Sequence, residues 1–455
     1  MECWMFVHAL QGWNEEWVAN YKGMFDAWED GGVRGIAVGR LGFPQADGSK
    51  ILTHVPDAKV YESFGVSAPP KQPRDLEKEK KFSEILDNAA SRGWRTLFFD
   101  VHPGGGSLPP EQDPYGEAWF AATAQDLMNA YPQMDGIIMD CPGEQHYELA
   151  RHNVGELFEL REGGEHWLGF DLRLGERERF EVLGYDVGRM ERGITHLRSR
   201  FHNLTPDLVR YHAPGGTLGG LQLFDINEDS LYWLRARQQT AADAMSAMRR
   251  AIDRVDRKVM LGGIPRTAAF SALTAQDYRH MGDCFDYVFP KHYYWNRGID
   301  GLYGTVARWA WQLSKWNPAL TDADCFAVIK SVFGLELPGV RSQVDLELGF
   351  PEEFFSEVVF SETRRALEAI PDEDKVVCWI STGRRPHGGD AMTARELEGI
   401  LQASKQAGLK RFMFHPDPDL GAPEWHVISR KCGNAWRPDP EKYWPSDTGE
   451  RDRRG

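Results

Sequence analysis

Short apolar segments alternate with longer amphipathic segments along most of the chain. A segment such as Gly136–Asp140, with its unbroken apolar run, is typical of a strand that is buried on both faces. Apolar residues three or four positions apart, as at Trp17, Tyr21, Met24 and Phe25, predict a helix with one buried side. We predict nine strands, at residues 5–10, 36–41, 95–101, 136–140, 259–264, 285–289, 326–335, 376–381 and 411–415.

Helices are predicted between these strands. They cover residues 14–30, 77–90, 119–131, 227–255, 302–316, 354–369, 393–407 and 425–432, and Thr274 is expected to cap a further short helix. Strands that alternate with helices in this way form a parallel sheet with helical crossovers. Because no change of composition divides the units into two domains, the pattern predicts an α/β protein with a (β/α)8 TIM barrel. Nine strands are one too many, so either residues 326–335 or residues 376–381 lie outside the barrel.

One region interrupts this alternation, directly after the predicted fourth strand. Residues 145–227 are rich in Arg, Glu and Gly, and we interpret them as a large insertion that forms a lid over the site or a contact between copies of the chain. Residues 1–144 then form the first half of the barrel, and residues 228–437 form the second half. The tail at residues 438–455, rich in Pro, Asp, Arg and Gly, is expected to be loose.

The composition narrows the classes of function. The chain has 455 residues and a formal net charge of −15, so it has no general attraction for the phosphates of nucleic acid. No apolar run approaches the ~20 residues of a membrane span, and the first residues lack the basic region of a signal peptide. The six cysteines include no Cys-x-x-Cys pair, and Gly104–Gly106 is not followed by the Lys-Ser/Thr of a phosphate-binding loop. We expect a soluble cytoplasmic protein that needs no metal or other cofactor and acts on a small molecule.

Candidate chemistry gathers where the predicted strands end, which is the face of a TIM barrel that carries the active site. Nearly every predicted strand ends in a charged, imidazole or aromatic residue, in several cases followed by Gly or Pro. A barrel with only a structural role has no need of this pattern. The residues are His8, Arg40, Asp100, His102, Asp140, Glu144, Arg266, Lys291, His292, Tyr293, Tyr294, Trp295, Glu336, Trp379 and His415.

Three segments resemble glycoside hydrolases with a barrel fold. Residues 133–140, Gln-Met-Asp-Gly-Ile-Ile-Met-Asp, look like the fourth strand of many such enzymes, in which the last Asp is delivered to the sugar. Residues 286–294 look like the sixth strand of glycosidase-like barrels related to the family-10-like group, and residues 333–339 are similar to the late strand on which clan A retaining enzymes place their nucleophile. The resemblance implies a glycosidase that acts on a short oligosaccharide or glycoside. It departs from clan A at the fourth strand, which there ends in Asn-Glu, whereas here Asp140 is followed only later by Glu144.

Glycoside cleavage needs two carboxyl groups on either side of the bond, ~5–5.5 Å apart for retention of configuration and ~6.5–9.5 Å apart for inversion. Our first assignment makes Glu144 the acid/base and Glu336 the nucleophile. In fucosidase-like and α-galactosidase-like enzymes, which the fourth strand also resembles, its Asp is the nucleophile, so our second assignment gives this role to Asp140, with an acid from elsewhere. The other strand-end residues are expected to bind the sugar, the aromatic rings by stacking and the cations of Arg266 and Lys291 by hydrogen bonds.

Two other functions fit the same residues. A metal-dependent barrel hydrolase, isomerase or lyase acting on a sugar would use nitrogen and oxygen ligands, although no His-x-His motif ends the first strand. Its six candidate ligands are His8, Asp100, His102, Asp140, His292 and His415. The third interpretation is a carbohydrate-binding barrel that has lost its catalytic acids.

Overall fold

The described part of the chain centres on one sheet of eight parallel strands. The computed structural model describes residues 1–7, 10, 13–39, 42–44, 50–99, 108–145, 172, 176–294, 301–381, 392–415 and 421–437. The strands are β1 (Glu2–Phe6), β2 (Val33–Gly39), β3 (Arg95–Phe99), β4 (Gly136–Asp140), β5 (Met260–Ile264), β6 (Tyr287–Val288), β7 (Val377–Ser381) and β8 (Arg411–His415).

The sheet closes into a barrel between β6 and β7. Its hydrogen-bonded order is β6-β5-β4-β3-β2-β1-β8-β7. Bridges from Val288 to Val376 and from Lys291 to Trp379 join the two end strands, and the Trp379 N–H donates to the Pro290 carbonyl at 2.8 Å. The predicted (β/α)8 barrel is confirmed, and its closure places Lys291, which follows β6, beside Trp379 of β7.

Helices connect the strands and surround the barrel. They are α1 (Glu15–Asp30), α2 (Ala58–Ser63), α3 (Leu76–Ser91), α4 (Glu117–Ala130), α5 (Glu176–Val182), α6 (Val187–Phe201), α7 (Pro206–His212), α8 (Gly216–Leu223), α9 (Glu228–Asp253), α10 (Ser271–Thr274), α11 (Tyr278–Cys284), α12 (Leu302–Trp316), α13 (Asp322–Phe333), α14 (Phe360–Ala369), α15 (Ala394–Gln406) and α16 (Ala422–Cys432). A π-helical segment, Phe354–Val359, leads into α14, and a short antiparallel ribbon pairs Phe43–Pro44 with Lys50–Ile51. Thr274, predicted as a cap, is the last residue of α10, and Asp277 caps α11 instead. No helix within the described ranges has both the length and the apolar composition of a membrane span.

The ninth predicted strand is a helix, because most of residues 326–335 lie in α13. A capping box between Thr321 and Asp324 starts this helix, and Gly334, with a φ of 64°, ends it. The buried apolar residues at positions 325, 328, 329 and 333 have the spacing of a helix rather than of a strand. The prediction of a strand at residues 326–335 is therefore wrong, whereas residues 376–381 contain β7.

The chain between β4 and β5 carries helices α5 to α9. Helix α6 packs closely on the start of α9, since a Cβ at Gly193 would lie 2.4 Å from the Asp229 carbonyl oxygen. Arg189 and Arg192 both bind the Asp229 carboxylate, at 2.8 and 2.9 Å. These contacts hold the predicted insertion to a helix of the barrel, and its role as a lid or as a contact between copies stays a prediction. Residues 146–171 and 173–175, like the tail at 438–455, lie outside the described residues.

Aromatic rings fill the inside of the barrel. Trp4, Phe6, Phe289 and Trp379 are each at most 2% exposed and belong to one cluster of inward-facing side chains. Gly35 pairs with Trp4 across β1 and β2, and a Cβ at Gly35 would lie 2.8 Å from the indole ring. Glycine at this strand position therefore makes space for the tryptophan.

We expect the variant Gly35→Ala to be less stable than the wild type by about 1–3 kcal/mol, because the added methyl group overpacks against Trp4. Gly23→Ala is the matched control. Gly23 lies within α1, where a Cβ would meet nothing within 4 Å, so this variant is expected to gain about 0.5–1 kcal/mol. Urea unfolding followed by circular dichroism measures both free energies, and equal stability of Gly35→Ala and wild type would contradict close packing inside the barrel.

Candidate active site

Backbone and side-chain hydrogen bonds connect the carboxyl ends of β4, β5 and β6. The Cys141 N–H donates to the Ile264 carbonyl, and the Lys291 N–H donates to the Pro265 carbonyl, each at 3.0 Å. The Thr267 hydroxyl donates to the Lys291 carbonyl at 2.6 Å. The side chains that follow these three strands are therefore held next to one another, on the face of the barrel where active sites lie.

On this face the Asp140 carboxylate pairs with the Lys291 ammonium group. The Lys291 Nζ lies 2.8 Å from the Asp140 Oδ1, and the lysine side chain is 3% exposed whereas the aspartate side chain is 31% exposed. A buried ammonium group requires a partner of this kind. The pair thus joins a buried cation to a carboxylate that reaches solvent.

The Cys141 thiol lies against both members of this pair. Its Sγ donates to the Asp140 Oδ1 at 3.2 Å and accepts from the Lys291 Nζ at 3.3 Å. Cys141 has a φ of 46°, in the left-handed region that residues with a side chain adopt infrequently. Burial raises the pKa of the thiol well above its usual value, so it acts as a neutral donor.

The neighbouring cations keep Asp140 ionised. Burial by itself raises the pKa of Asp140, but the Lys291 ammonium and the Arg266 guanidinium outweigh burial and hold the pKa well below its usual range. The hydrogen bonds from Lys291 and Cys141 act in the same direction. An ionised carboxylate is the form that a nucleophile or a general base needs.

Glu144 forms a bidentate ion pair with Arg266. The Arg266 Nε and Nη2 donate to the two carboxylate oxygens at 2.8 and 3.0 Å, and the two side chains are 14% and 8% exposed. Burial raises the pKa of Glu144, but the charge and hydrogen bonds of Arg266, together with Cys141 and Lys291, lower it by more, and the net shift is downward. A general acid needs a raised pKa, so this geometry gives no support to Glu144 as the acid/base and makes it the carboxylate that orients Arg266.

Gln276 connects the loop of Glu144 to the loop of Arg266. It is fully buried; its side-chain oxygen accepts from the Arg266 N–H at 3.1 Å, and its amide nitrogen donates to the Pro142 carbonyl at 3.3 Å. Neither Gln276 nor Cys141 is among the site residues predicted from the sequence. Cys141 is recognisable by its position directly after the strand-end aspartate, whereas Gln276 acts through partners in other loops that no local pattern reveals.

The residues that follow β6 point alternately into and out of the barrel. Tyr293 belongs to the cluster inside the barrel. Tyr294 belongs to the core outside it, and the His292 Nε2 lies 3.7 Å from the Sγ of Cys378, which is in that outer core. Burial lowers the pKa of His292 to about 3, so the ring is neutral. Because consecutive residues of an extended chain face opposite sides, the structure does not bring His292 and Tyr294 to the mouth of the barrel, contrary to our expectation.

Trp379 and His415 line the inside of the barrel near its carboxyl end. Their ring centroids are 5.7 Å apart, and the Phe6 ring packs edge-on to the His415 ring at 4.6 Å. Trp379 is 2% exposed and His415 is 4% exposed. His415 is the last residue of its strand, as expected, whereas Trp379 is the middle residue of β7. Both lie beneath the surface, and their contact with a sugar stays a prediction.

Glu336 does not lie at the end of a strand. It follows α13, its side chain is 73% exposed, and it pairs with Lys330 on the protein surface. Among the described residues no contact joins it to Asp140 or Glu144. The role of nucleophile was assigned to Glu336 because a late strand was expected there, and the helix removes that reason.

Five predicted site residues lie outside the described residues, namely His8, Arg40, Asp100, His102 and Trp295. Within the described ranges, no group of three or more His, Cys, Asp or Glu side chains is arranged to hold a metal ion. Three of the six ligands of the metal hypothesis are among the five residues, so that hypothesis stays a prediction.

Comparisons with known proteins find similarity of structure without similarity of sequence. No protein-family model matches the chain, and no curated protein matches it. The chain is similar to the glycoside hydrolase domain of PgaB (BpsB) from Bordetella bronchiseptica, at 10% identity and a TM-score of 0.44, over 95% of this chain and 99% of that one. It is also similar to GH5_18 from Streptomyces cattleya in complex with GlcNAc, at 9% identity and a TM-score of 0.42, over 94% of this chain and 79% of that one. A third similar structure is a GH18 chitinase from Pseudoalteromonas aurantia, at 10% identity and a TM-score of 0.37, over 95% of this chain and 100% of that one. All three are glycoside hydrolases, but a likeness at these identities and TM-scores carries no argument about the function of this chain.

Proposed function

We propose that the protein is a glycoside hydrolase in which Asp140 is the nucleophile. The observation that carries this proposal is the pair of Asp140 with the buried Lys291, which keeps a partly exposed carboxylate ionised at the end of a barrel strand. A retaining glycosidase needs such a carboxylate beside the anomeric carbon of the sugar. The proposed substrate is a small carbohydrate, either a short oligosaccharide or a glycoside.

The proton donor is proposed to be Asp100. A general acid must stay protonated near neutral pH, and the lowered pKa values of Asp140 and Glu144 do not suit this task. Asp100 directly follows β3, which is the neighbour of β4 in the sheet, although it lies outside the described residues. Two carboxyl groups are the number and type of group that glycoside cleavage requires.

The proposed reaction has two steps. An oxygen of Asp140 attacks the anomeric carbon while the bond to the leaving oxygen breaks, and that oxygen takes the proton of the acid. Water then attacks the same carbon, gives a proton to the acid/base, and the bond to Asp140 breaks with its electron pair returning to the carboxylate. Configuration at the anomeric carbon is retained, because it is inverted twice.

The variant Asp140→Asn is expected to lose about 10³-fold or more in kcat/KM, because an amide does not attack the anomeric carbon. Asparagine keeps the size of aspartate and an oxygen that accepts from Lys291, so the fold is expected to persist. Glu336→Gln makes the same carboxyl-to-amide change on the surface and is expected to keep wild-type activity. The measurement is kcat/KM over a panel of 4-nitrophenyl glycosides, with circular dichroism as the test of folding.

These two variants separate the two assignments made from the sequence. Loss of activity in Glu336→Gln together with full activity in folded Asp140→Asn would refute Asp140 as nucleophile and favour Glu336. Full activity in both variants, and in Glu144→Gln and Asp100→Asn, would refute the carboxylate mechanism altogether.

Azide distinguishes the nucleophile from the acid/base. With an activated 2,4-dinitrophenyl glycoside, azide is expected to restore activity to Asp140→Ala and to give a glycosyl azide of inverted configuration, because azide attacks from the side that the carboxylate occupied. Asp100→Ala is expected to give the azide product with the configuration of the substrate, since the glycosyl–Asp140 intermediate still forms. Identification of the anomers by NMR checks both results. An inverted product from Asp100→Ala and a retained product from Asp140→Ala would mean that Asp100 is the nucleophile and Asp140 the acid/base.

A further inference from the structure

The two hydrogen bonds that Asp140 accepts from its neighbours both end on the same oxygen. The Lys291 Nζ lies 2.8 Å from Oδ1, and the Cys141 Sγ donates to that same atom at 3.2 Å. Within the part of the chain that the structure describes, no hydrogen bond or ion pair reaches Oδ2. The carboxylate is thus held through one oxygen, while the other remains available on a side chain that is 31% exposed.

We infer that Lys291 and Cys141 are positioning residues that anchor the Asp140 Oδ1, so that Oδ2 is the atom that attacks the anomeric carbon. This inference rests on the proposed function, in which Asp140 is the nucleophile. An electron pair of Oδ2 forms the new bond to the anomeric carbon, and the carboxylate becomes a neutral ester. The bond to the leaving oxygen breaks with its electron pair on that oxygen, which takes the proton of the acid. Oδ1 becomes the carbonyl oxygen of the ester and keeps its two donors.

The anchor is rigid because Lys291 is fixed at several points. Its N–H donates to the Pro265 carbonyl, its carbonyl accepts from the Thr267 hydroxyl, and it forms a bridge to Trp379 where the barrel closes. Its side chain is 3% exposed, so the ammonium group is enclosed by protein. A fixed donor holds the carboxylate in one orientation and lowers the cost of reaching the transition state.

Cys141 adds a donor that does not carry charge. Its backbone N–H is bonded to the Ile264 carbonyl and its φ is 46°, which keeps the sulfur beside the carboxylate after the strand has ended. The thiol both donates to Oδ1 and accepts from the Lys291 Nζ, at 3.2 and 3.3 Å. It thereby connects the cation to the carboxylate in a triangle of three side chains.

The charged groups that face Asp140 define the pH dependence expected of each variant. The cations are Lys291, from the segment after β6, and Arg266, from the segment after β5, and the neutral thiol of Cys141 faces Asp140 from the segment after β4. Glu144 is paired with Arg266. Burial raises the pKa of Asp140, and removal of Lys291 takes away the larger of the two cationic influences that lower it and leaves Arg266. The pKa of Asp140 is therefore expected to rise. The form that attacks is then lost at a higher pH than in the wild type.

The first test is Lys291→Met, with Lys330→Met as the control on the surface. Lys291→Met is expected to lower kcat by about 10²-fold and to move the acidic limb of the pH profile of kcat/KM upward by at least about one unit. Lys330→Met, which removes a lysine that pairs with the surface residue Glu336, is expected to keep the wild-type profile. A folded Lys291→Met variant with an unchanged acidic limb would overturn the inference.

The second test does not depend on removal of a buried charge. Cys141→Ala is expected to lower kcat by about fivefold with KM unchanged, and Cys141→Ser, whose hydroxyl donates to the same oxygen, is expected to restore most of the loss. Cys284→Ala, a change at a cysteine that contacts Ser246 and His280, is the matched control. Equal kcat in Cys141→Ala, Cys141→Ser and wild type would show that the thiol positions nothing.

The activity of Asp140→Asn shows whether a negative result contradicts only this inference or also the proposed function. If Asp140→Asn is inactive while Lys291→Met and Cys141→Ala behave as wild type, Asp140 is the nucleophile but is not positioned through Oδ1. If folded Asp140→Asn is fully active, the proposed function is wrong and the positioning role falls with it.

Discussion

The charge state of Asp140 depends on a buried ammonium group, because such a group requires a counter-charge beside it. Lys291 is enclosed where the barrel closes, and among the residues that the structure describes Asp140 is a carboxylate that meets it, at 2.8 Å. Burial and ion pairing oppose each other in their effect on the pKa of Asp140, and ion pairing prevails. The result is a carboxylate that stays ionised although it is largely enclosed by protein.

The aromatic interior of the barrel supports this face. Trp379 contacts the rings of Phe6, Phe99 and Tyr293, and its backbone forms the bridge to Lys291. Close packing allows little adjustment of such a layer, as the space kept for Trp4 by Gly35 illustrates. The strand ends that carry the polar residues are therefore held in fixed positions by the apolar side chains beneath them.

Asp140 and Glu144 differ in how many of their carboxylate oxygens are bound by the neighbouring cation. Arg266 engages both oxygens of Glu144, whose side chain is 14% exposed. Lys291 engages one oxygen of Asp140, whose side chain is 31% exposed. The first arrangement is that of a structural ion pair that connects two loops, and the second leaves an oxygen for chemistry. This difference, rather than the pKa direction that the two groups share, is the reason for the proposal that Asp140 is the nucleophile.

The barrel and the strand-end position of Asp140 follow from local patterns, since eight short apolar runs separated by helices of the right length have few other ways to bury their surfaces. The helix at residues 326–335 was also encoded locally, in the spacing of its apolar residues and in Gly334, but its β-branched and apolar content resembled a strand. The inward or outward direction of each residue after β6 was not readable, because it depends on the register at which β6 meets β7. Only the closed barrel decided that Lys291 lies beside Asp140 and Cys141 while His292 turns away. Lys291 and Cys141, 150 positions apart, become neighbours through strand pairing and not through any pattern along the chain.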